Sequence, residues 1–142
     1  MAVVVFDADV LIAYLSRDDA NHREAVERMR RALASGTRRL VSAVNYTEVL
    51  IGPLLKEGVP GAEIVDAMLV RFSVETIEVD MSLARRAAAV RARTRLKLPD
   101  AYALATAIYA EKRGHAEVRL ETFDKKVIRA YKALQPLSAD LD

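Results

Sequence analysis

Acidic side chains occur at four separate places in the sequence where carboxylates could do chemistry together. Asp7 ends the apolar run of residues 3–6, and Asp124 follows the weaker apolar run of residues 118–120. Asp100 lies in the first turn of a predicted helix, and Glu48 lies inside another. Gathered carboxylates repel one another unless cations neutralise them, and Mg²⁺ or Mn²⁺ prefers oxygen ligands. The pattern indicates a divalent-metal site that activates a water for phosphodiester hydrolysis.

Three of these acids also have an ordinary structural explanation. Asp7 could form a turn at the end of its strand, and Asp124 could cap the helix that follows it. Asp100 could lie in the first turn of its helix because the positive end of the helix dipole stabilises its negative charge. The catalytic hypothesis is preferred because the predicted fold directs all the acids toward one crevice, where separate structural roles would have to coincide.

Glu48 is the most informative of the acids. At helical spacing it shares a stripe with Val44, Ile51 and Leu55, and we expect that stripe to face inward. A buried carboxylate is costly without a partner, so Glu48 needs a basic neighbour or a metal ion. The alternative is an ordinary salt bridge at the edge of the core.

The elements that must position these acids alternate between strands and helices. Strands are predicted at residues 3–6, 40–42, 76–79 and 118–120, with a further short strand near Leu137. Such alternation predicts an α/β fold, a three-layer α/β/α sandwich with a mainly parallel sheet of four to five strands. Ligands bind at the carboxyl ends of such strands, where strand order reverses, and Asp7 and Asp124 both follow strands.

The composition narrows the class of protein. At 142 residues the chain has the usual size of one domain, and we expect a single domain over residues 1–142. It has no cysteine, so oxygen or histidine must hold any metal. No apolar run reaches the roughly 20 residues that a membrane-spanning helix needs. Residues 2–6 are too short an apolar stretch for a secretory signal, so we expect a cytoplasmic location without a membrane partner.

Basic residues cluster in one predicted helix and its exit, although the formal net charge is only +2. The cluster consists of Arg85, Arg86, Arg91, Arg93, Arg95 and Lys97. Such a patch could neutralise the phosphates of RNA. The alternative is an ordinary solvated helix face.

At the acidic positions the sequence resembles the PIN domain family, and more closely the VapC-type toxins of bacterial and archaeal toxin–antitoxin pairs. The matching segments are VVVFDADVLIAYL, SAVNYTEVL, LKLPDAYALATAIYA and LETFDKKV, and the resemblance covers nearly the whole chain. It implies a PIN-like parallel α/β/α sandwich and Mg²⁺-dependent ribonuclease activity, with Mn²⁺ as the other suitable ion. It also implies that the metal is held by the acidic quartet, which is Asp7, Glu48, Asp100 and Asp124.

Two residues beside the acidic quartet carry further expectations. Thr122 matches the Ser or Thr that the family places two residues before the last acid, where it would hold a metal-bound water or a substrate phosphate. Its structural alternative is a turn or cap at the junction of strand and helix. Asp9 departs from the family, which usually has Ser, Thr or Asn there. It could join the metal shell through water or cap the first helix.

The resemblance also implies partners. It implies an RNA substrate, a homodimer and a cognate VapB-type antitoxin protein that blocks the acidic crevice. Apolar residues such as Leu54, Leu55, Met68 and Leu69 exceed what one small core obviously needs. This excess is compatible with an interface.

Two other hypotheses remain open from the sequence. Asp7 and Asp9 form the Asp-x-Asp that opens haloacid-dehalogenase-like phosphatases, where they would be nucleophile and general acid. That class normally continues with Gly-Thr, whereas this chain has Val10 and Leu11. The second hypothesis is a PIN-like scaffold that binds RNA or a protein without cutting, and the complete acidic quartet argues against it.

Overall fold

A four-stranded, all-parallel sheet organises the part of the chain that the computed structural model describes, residues 1–114 and 117–134. Its strands are β1 (Ala2–Phe6), β2 (Thr37–Ser42), β3 (Val74–Ile77) and β4 (Glu117–Glu121). They lie in the order β3-β2-β1-β4. The predicted parallel sheet is confirmed, and the strand expected near Leu137 lies outside the described residues.

Seven helices accompany the sheet within the described ranges. They are α1 (Ala8–Leu15), α2 (His22–Ala32), α3 (Ala43–Glu57), α4 (Val59–Arg71), α5 (Met81–Thr94), α6 (Leu98–Lys112) and α7 (Lys125–Leu134). The i, i+3, i+4, i+7 spacing of Ala101, Leu104, Ala105 and Ile108 predicts that these α6 side chains are buried, and all four are. Asp80 caps α5, its carboxylate accepting a hydrogen bond from the amide of Leu83 at 2.8 Å.

Alternating side chains of β1 face two separate layers of helices. Val4 and Phe6 pack into a core with residues of α1, α2, α3 and α4. Val3 and Val5 face the other side, where they contact α6 residues such as Ala107, and α5 and α7 pack with α6 on that side. Because side chains alternate along a strand, a central strand between two helical layers is apolar throughout. The three-layer α/β/α sandwich is therefore confirmed.

The position of β1 in the sheet fixes where a ligand site can form. Consecutive strands β1, β2 and β3 run outward to one side, and β4 pairs with β1 on the other side. Strand order thus reverses at β1, and a crevice opens beyond the carboxyl ends of β1 and β4. Their register places Phe6 opposite Glu121, so that Asp7 and Thr122 emerge side by side.

A close approach of backbones holds α3 against α4. A β-carbon on Gly61 would lie 2.1 Å from the carbonyl oxygen of Pro53, so only glycine fits there. This contact fixes the helical hairpin that carries Glu48.

Among the described helices, none is both long and apolar enough to span a membrane.

Candidate active site

Asp7 stands at the centre of the crevice, directly after the central strand. It is the N-cap of α1, and its Oδ1 accepts a hydrogen bond from the amide of Ala8 at 2.8 Å. Its Oδ2 accepts a hydrogen bond from the hydroxyl of Thr122 at 2.8 Å. The side chain is only 3% exposed. The turn role considered for Asp7 is therefore real, and it coexists with a place at the reversal point of the sheet.

The turn between β4 and α7 supplies Thr122 and Asp124. Thr122 is buried, and besides donating to Asp7 its hydroxyl accepts a hydrogen bond from the amide of Asp124 at 3.1 Å. Asp124 Oδ1 accepts a hydrogen bond from the amide of Lys126 at 2.8 Å, which starts α7. Thr122 thus joins the carboxyl ends of β1 and β4 through one hydroxyl group.

Asp9 reaches across the crevice to the same turn. Its Oδ2 accepts a hydrogen bond from the amide of Phe123 at 2.9 Å, and the hydroxyl of Thr122 lies 3.4 Å away. Its Oδ1 is buried and has no hydrogen-bond partner among the described residues. The expected alternative that Asp9 caps the first helix is not what the structure has, because Asp7 is the N-cap.

Glu48 reaches the crevice through a residue that the sequence interpretation missed. Asn45 is fully buried, and its amide nitrogen donates to Glu48 Oε1 and to the carbonyl oxygen of Pro99, both at 3.0 Å. Its Oδ1 accepts a hydrogen bond from the hydroxyl of Ser42 at 2.6 Å. Asn45 therefore ties α3 to the first turn of α6, where Asp100 lies.

The predicted inward stripe of α3 was wrong. Ile51 is 53% exposed and Leu55 is 84% exposed, whereas Asn45 and Val49 are buried. Glu48 is only partly buried, so its place near the other acids follows from the hydrogen bond with Asn45. The helix turns a different face to the core because apolar residues occur on more than one of its faces.

Electrostatic interactions show that the acids lie near one another. The pKa of Asp7 is raised to about 7, by burial first and then by the nearby charges of Asp9 and Asp100. Burial also raises the pKa of Asp9. The pKa of Asp100 is raised by burial first, and then by the charges of Asp124, Glu48 and Asp9. The structure thus brings the whole acidic quartet, with Asp9, to one edge of the sheet.

The carboxylate oxygens of the site are suitable ligands for a divalent metal ion. Within residues 1–114 and 117–134, no three acidic or histidine side chains converge closely enough to hold an ion as they stand. The donors fit a hard cation, because all are carboxylate oxygens and the buried Oδ1 of Asp9 has no hydrogen-bond partner among the described residues. Carboxylates repel one another, so their closer approach requires a cation between them.

A model of the PIN domain family matches residues 4–133. The chain belongs to the PIN domain family. Membership leaves the haloacid-dehalogenase alternative without support, and the carboxylate of Asp9 is in any case held by a backbone amide. No curated protein matches the chain.

Solved structures with this PIN domain fold come from several bacteria. A toxin–antitoxin complex from Klebsiella pneumoniae is 25% identical, with a TM-score of 0.65 and coverage of 90% of each chain. The VapC20 toxin of Mycobacterium tuberculosis, described as cleaving the sarcin–ricin loop, is 18% identical, with a TM-score of 0.60 and coverage of 95% of each chain. VapBC2 of Rickettsia felis, bound to a DNA fragment from its promoter, is 13% identical with a TM-score of 0.58, and the alignment covers 87% of this chain and 100% of that one.

Three of the predicted basic residues lie beside the acids of this PIN domain. Arg93, Arg95 and Lys97 line a groove with a volume of about 810 Å³. Asp100 and Asp124 line the same groove. The charge of Lys97 lowers the pKa of Asp100, against the larger influences that raise it. The exit of α5 therefore brings cations to the acidic site.

The remaining basic residues of the predicted cluster do not line this groove. Arg85 is exposed on α5, Arg86 is partly buried, and the guanidinium of Arg91 donates to the carbonyl oxygen of Leu96. Two cations that the sequence interpretation missed, Lys126 and Arg129 of α7, line the groove instead. Lys126 and Arg129 are three residues apart, so they lie on one face of α7, just after Asp124. This spacing was the signal in the sequence that could have assigned them to the groove.

Arg28 of α2 is a further missed residue of this PIN domain. Its Nη1 donates to the carbonyl oxygen of Thr122 at 2.9 Å and to Glu121 Oε2 at 3.2 Å. Its guanidinium also lies 4.5 Å from the centre of the Phe123 ring. Arg28 therefore holds the turn that carries Thr122 and Asp124 against α2. Its neighbours in sequence gave no signal for this role, since Glu121 and Thr122 lie more than 90 residues away.

Proposed function

We propose that this PIN domain is a divalent-metal-dependent ribonuclease that hydrolyses phosphodiester bonds within RNA chains. The observation that carries the proposal is the gathering of Asp7, Asp100 and Asp124 at the reversal point of the sheet. Burial and mutual repulsion raise the pKa of Asp7 and of Asp100, and at Asp100 they outweigh the opposing charge of Lys97. Membership of the PIN domain family and the cations of the adjoining groove support phosphodiester chemistry.

Each residue of the site has a role in this proposal. The acidic quartet would hold Mg²⁺ or Mn²⁺, and Asp9 would contribute its buried Oδ1 to the shell around the ion. The bound ion would supply a nucleophile at neutral pH and offset the charge that develops on the phosphate. Thr122 orients Asp7 through the hydrogen bond from its hydroxyl. Asn45 orients Glu48 in the same way.

Removal of the metal and of one carboxylate tests the proposal. We expect cleavage of a fluorescently labelled single-stranded RNA to stop in excess EDTA and to return when Mg²⁺ or Mn²⁺ is added. Asp100→Asn should lower kcat by at least about a hundredfold, because charge stabilisation of this kind supplies several kcal/mol. Asp18→Asn is the matched control, since Asp18 is exposed between α1 and α2 and does not line the groove at the site.

Two results would refute the nuclease. One is cleavage that persists in EDTA, and the other is cleavage that Asp100→Asn leaves unchanged. A wild-type protein that binds RNA and never cuts it would instead support the non-catalytic scaffold. Circular dichroism of each variant shows whether the fold is kept.

We propose further that the ribonuclease is the toxin of a type II toxin–antitoxin pair in the cytoplasm. The relative from Klebsiella pneumoniae is part of a toxin–antitoxin complex and covers 90% of this chain. The proposed assembly is a homodimer that a VapB-type antitoxin inhibits. Induced expression in a bacterial host should arrest growth, and Asp100→Asn should abolish the arrest. Growth that continues with active, soluble wild-type protein would contradict the toxin role.

A further inference from the structure

Asn45 is a buried amide whose oxygen and nitrogen both form hydrogen bonds at the junction of three elements. Its side chain is fully buried. Its Oδ1 accepts a hydrogen bond from the hydroxyl of Ser42 at 2.6 Å, and its Nδ2 donates to Glu48 Oε1 and to the carbonyl oxygen of Pro99, both at 3.0 Å. Ser42 ends β2, Glu48 lies on α3 and Pro99 lies in the first turn of α6. One side chain therefore joins the sheet to two helices.

The partners of Asn45 allow only one orientation of its amide group. The carbonyl oxygen of Pro99 can only accept a hydrogen bond, so the amide nitrogen must face it. The hydroxyl of Ser42 accepts from the backbone amide of Asn45 at 3.0 Å, which leaves its own proton to donate to Oδ1. The second N–H of the amide then faces Glu48. A buried polar group whose partners are all in place holds them in a defined arrangement.

The hydrogen bond to Pro99 also reaches a second acid of the site. The carbonyl group of Pro99 belongs to the peptide bond with Asp100, so this contact holds the backbone from which the Asp100 side chain starts. The contact with Glu48 holds a carboxylate oxygen directly. The charge of Glu48 is also one of the influences that raise the pKa of Asp100, after burial and the charge of Asp124. One amide thus fixes two acids that approach each other from different helices.

The chemistry of Asn45 suits a carboxylate that must keep its charge for a cation. Glu48 is only partly buried, so water could satisfy its oxygens, and folding alone does not require a buried donor beside it. In the part of the chain that the structure describes, Glu48 forms no salt bridge. A neutral amide holds the carboxylate in place without neutralising it, whereas a lysine or arginine would compete with a bound ion.

We propose that Asn45 is a positioning residue that sets the separation of Glu48 and Asp100 and thereby the affinity of the site for its divalent ion. This inference rests on the proposed metal-dependent function, and it adds a residue that contacts neither the ion nor the RNA. Residues that hold metal ligands by hydrogen bonds typically contribute about 10- to 100-fold to metal affinity. Carboxylates repel one another in the metal-free protein, so without Asn45 the two acids should move apart.

Binding of Mn²⁺ in the absence of RNA tests Asn45 apart from catalysis. Isothermal titration calorimetry of the metal-free protein gives the dissociation constant for Mn²⁺, and Asn45→Ala should raise it by about 10- to 100-fold. Thr106→Val is the matched control. Thr106 is also fully buried, and its hydroxyl donates to the carbonyl oxygen of Tyr102 within α6 at 2.7 Å. This variant loses a buried hydrogen bond that reaches no acid, so its Mn²⁺ affinity should stay at the wild-type value.

A double-mutant cycle separates positioning from a general loss of structure. Glu48→Ala removes the carboxylate that Asn45 holds. If Asn45 acts through Glu48, Asn45→Ala should cost less Mn²⁺ affinity in the Glu48→Ala background than in the wild type, because the two residues are coupled. The loss that remains in this background reports the action of Asn45 on Asp100. Equal losses in the two backgrounds would show that Asn45 does not act through Glu48, and would overturn the proposal.

A second variant keeps the test valid if Asn45→Ala does not fold, which circular dichroism in EDTA shows. Asn45→Ser leaves one hydroxyl proton, which can hold at most one of the two acceptors, so Mn²⁺ affinity should fall here as well. Unchanged Mn²⁺ affinity in a folded variant, with thermal stability in EDTA reduced, would refute the positioning role and assign Asn45 to the fold alone. The metal-dependent function would then still stand. A wild-type protein that binds no Mn²⁺ would instead overturn that function, and the positioning role with it.

Discussion

The buried environment of Asp7 disfavours the ionised form of its carboxyl group. Burial, together with the charges of Asp9 and Asp100, raises the pKa of its carboxyl from 3.8 to about 7, so the folded protein favours the protonated form. Protonation of Asp7 therefore stabilises the folded protein relative to the unfolded chain. This stabilisation is fully present below the unfolded pKa near 4 and is lost as the pH rises through about 7. A shift of this size corresponds to at most roughly 4 kcal/mol. We expect the free energy of unfolding in EDTA to fall between pH 5 and pH 8, measured by urea denaturation.

The replacement Asp7→Asn isolates this residue. It should remove most of the decrease in the free energy of unfolding and make the metal-free protein more stable at pH 8 than wild type. Asp9 and Asp100 leave a smaller decrease in the same direction, because burial raises the pKa of both. Asp18→Asn, an exposed control, should keep the wild-type profile. A profile for Asp7→Asn that matches wild type would show that burial does not control this carboxyl.

The sequence predicted residues whose place follows from the end of a strand. Asp7 and Thr122 could be assigned because the carboxyl ends of neighbouring parallel strands meet at one edge. Asn45 could not be found in this way, since its role depends on the carbonyl oxygen of Pro99, 54 residues away. A hydrogen bond between distant segments leaves no periodic pattern in the sequence.

At the scale of elements, one arginine couples helix α2 to the turn between β4 and α7. Arg28 holds the carbonyl oxygen of Thr122 and covers the ring of Phe123. Arg28→Met keeps much of the side-chain length but removes the donors, so the turn that carries Asp124 should shift. A displacement of about 1 Å at a reacting site can cost up to about a hundredfold in rate. We expect kcat for RNA cleavage to fall tenfold or more, with a smaller change in KM.

A neighbouring arginine provides the control for this positioning role. Arg31 lies on the same helix, where its exposed guanidinium forms a salt bridge with Glu24 at 3.3 Å. Arg31→Met should leave kcat near the wild-type value. If Arg28→Met lowers thermal stability and leaves kcat unchanged, Arg28 supports the fold without positioning the turn. Rescue of kcat by Arg28→Lys would show that a cation alone suffices there.

Elements were predictable where one signal dominated and not where two competed. Burial of the apolar residues of α6 could be predicted because apolar side chains cover most of this helix: Leu104 and Ile108 pack with α5, and Ala107 and Ala110 pack on the sheet. In α3 the stripe of Ile51 and Leu55 competed with the face of Asn45 and Val49. Packing against α4 and α6 decided the outcome, and that packing depends on residues far along the chain.

At the scale of the whole molecule, apolar surface is concentrated on α3 and α4. Leu55 is 84% exposed, Val70 is 79% exposed and Ile51 is 53% exposed. Of the residues expected to exceed the core, Leu54 and Leu55 are exposed, whereas Met68 and Leu69 are buried. The expectation of surplus apolar surface was therefore right for α3 and wrong for that pair on α4. Exposed apolar residues in this number on two adjacent helices are typical of an interface.

The proposed homodimer should depend on this surface. Ile51 and Leu55 are four residues apart on α3, so they lie on the same face of the helix. Burial of each in an interface contributes about 1.5–3 kcal/mol, and Ile51→Glu/Leu55→Glu should therefore raise the dissociation constant of the dimer by roughly a hundredfold or more. Light scattering after size-exclusion chromatography measures the mass, with Val26→Glu on α2 as an exposed apolar control. A dimer that survives the double replacement would place the contact between copies away from α3, and a wild-type protein that stays monomeric at high concentration would leave this surface to the antitoxin.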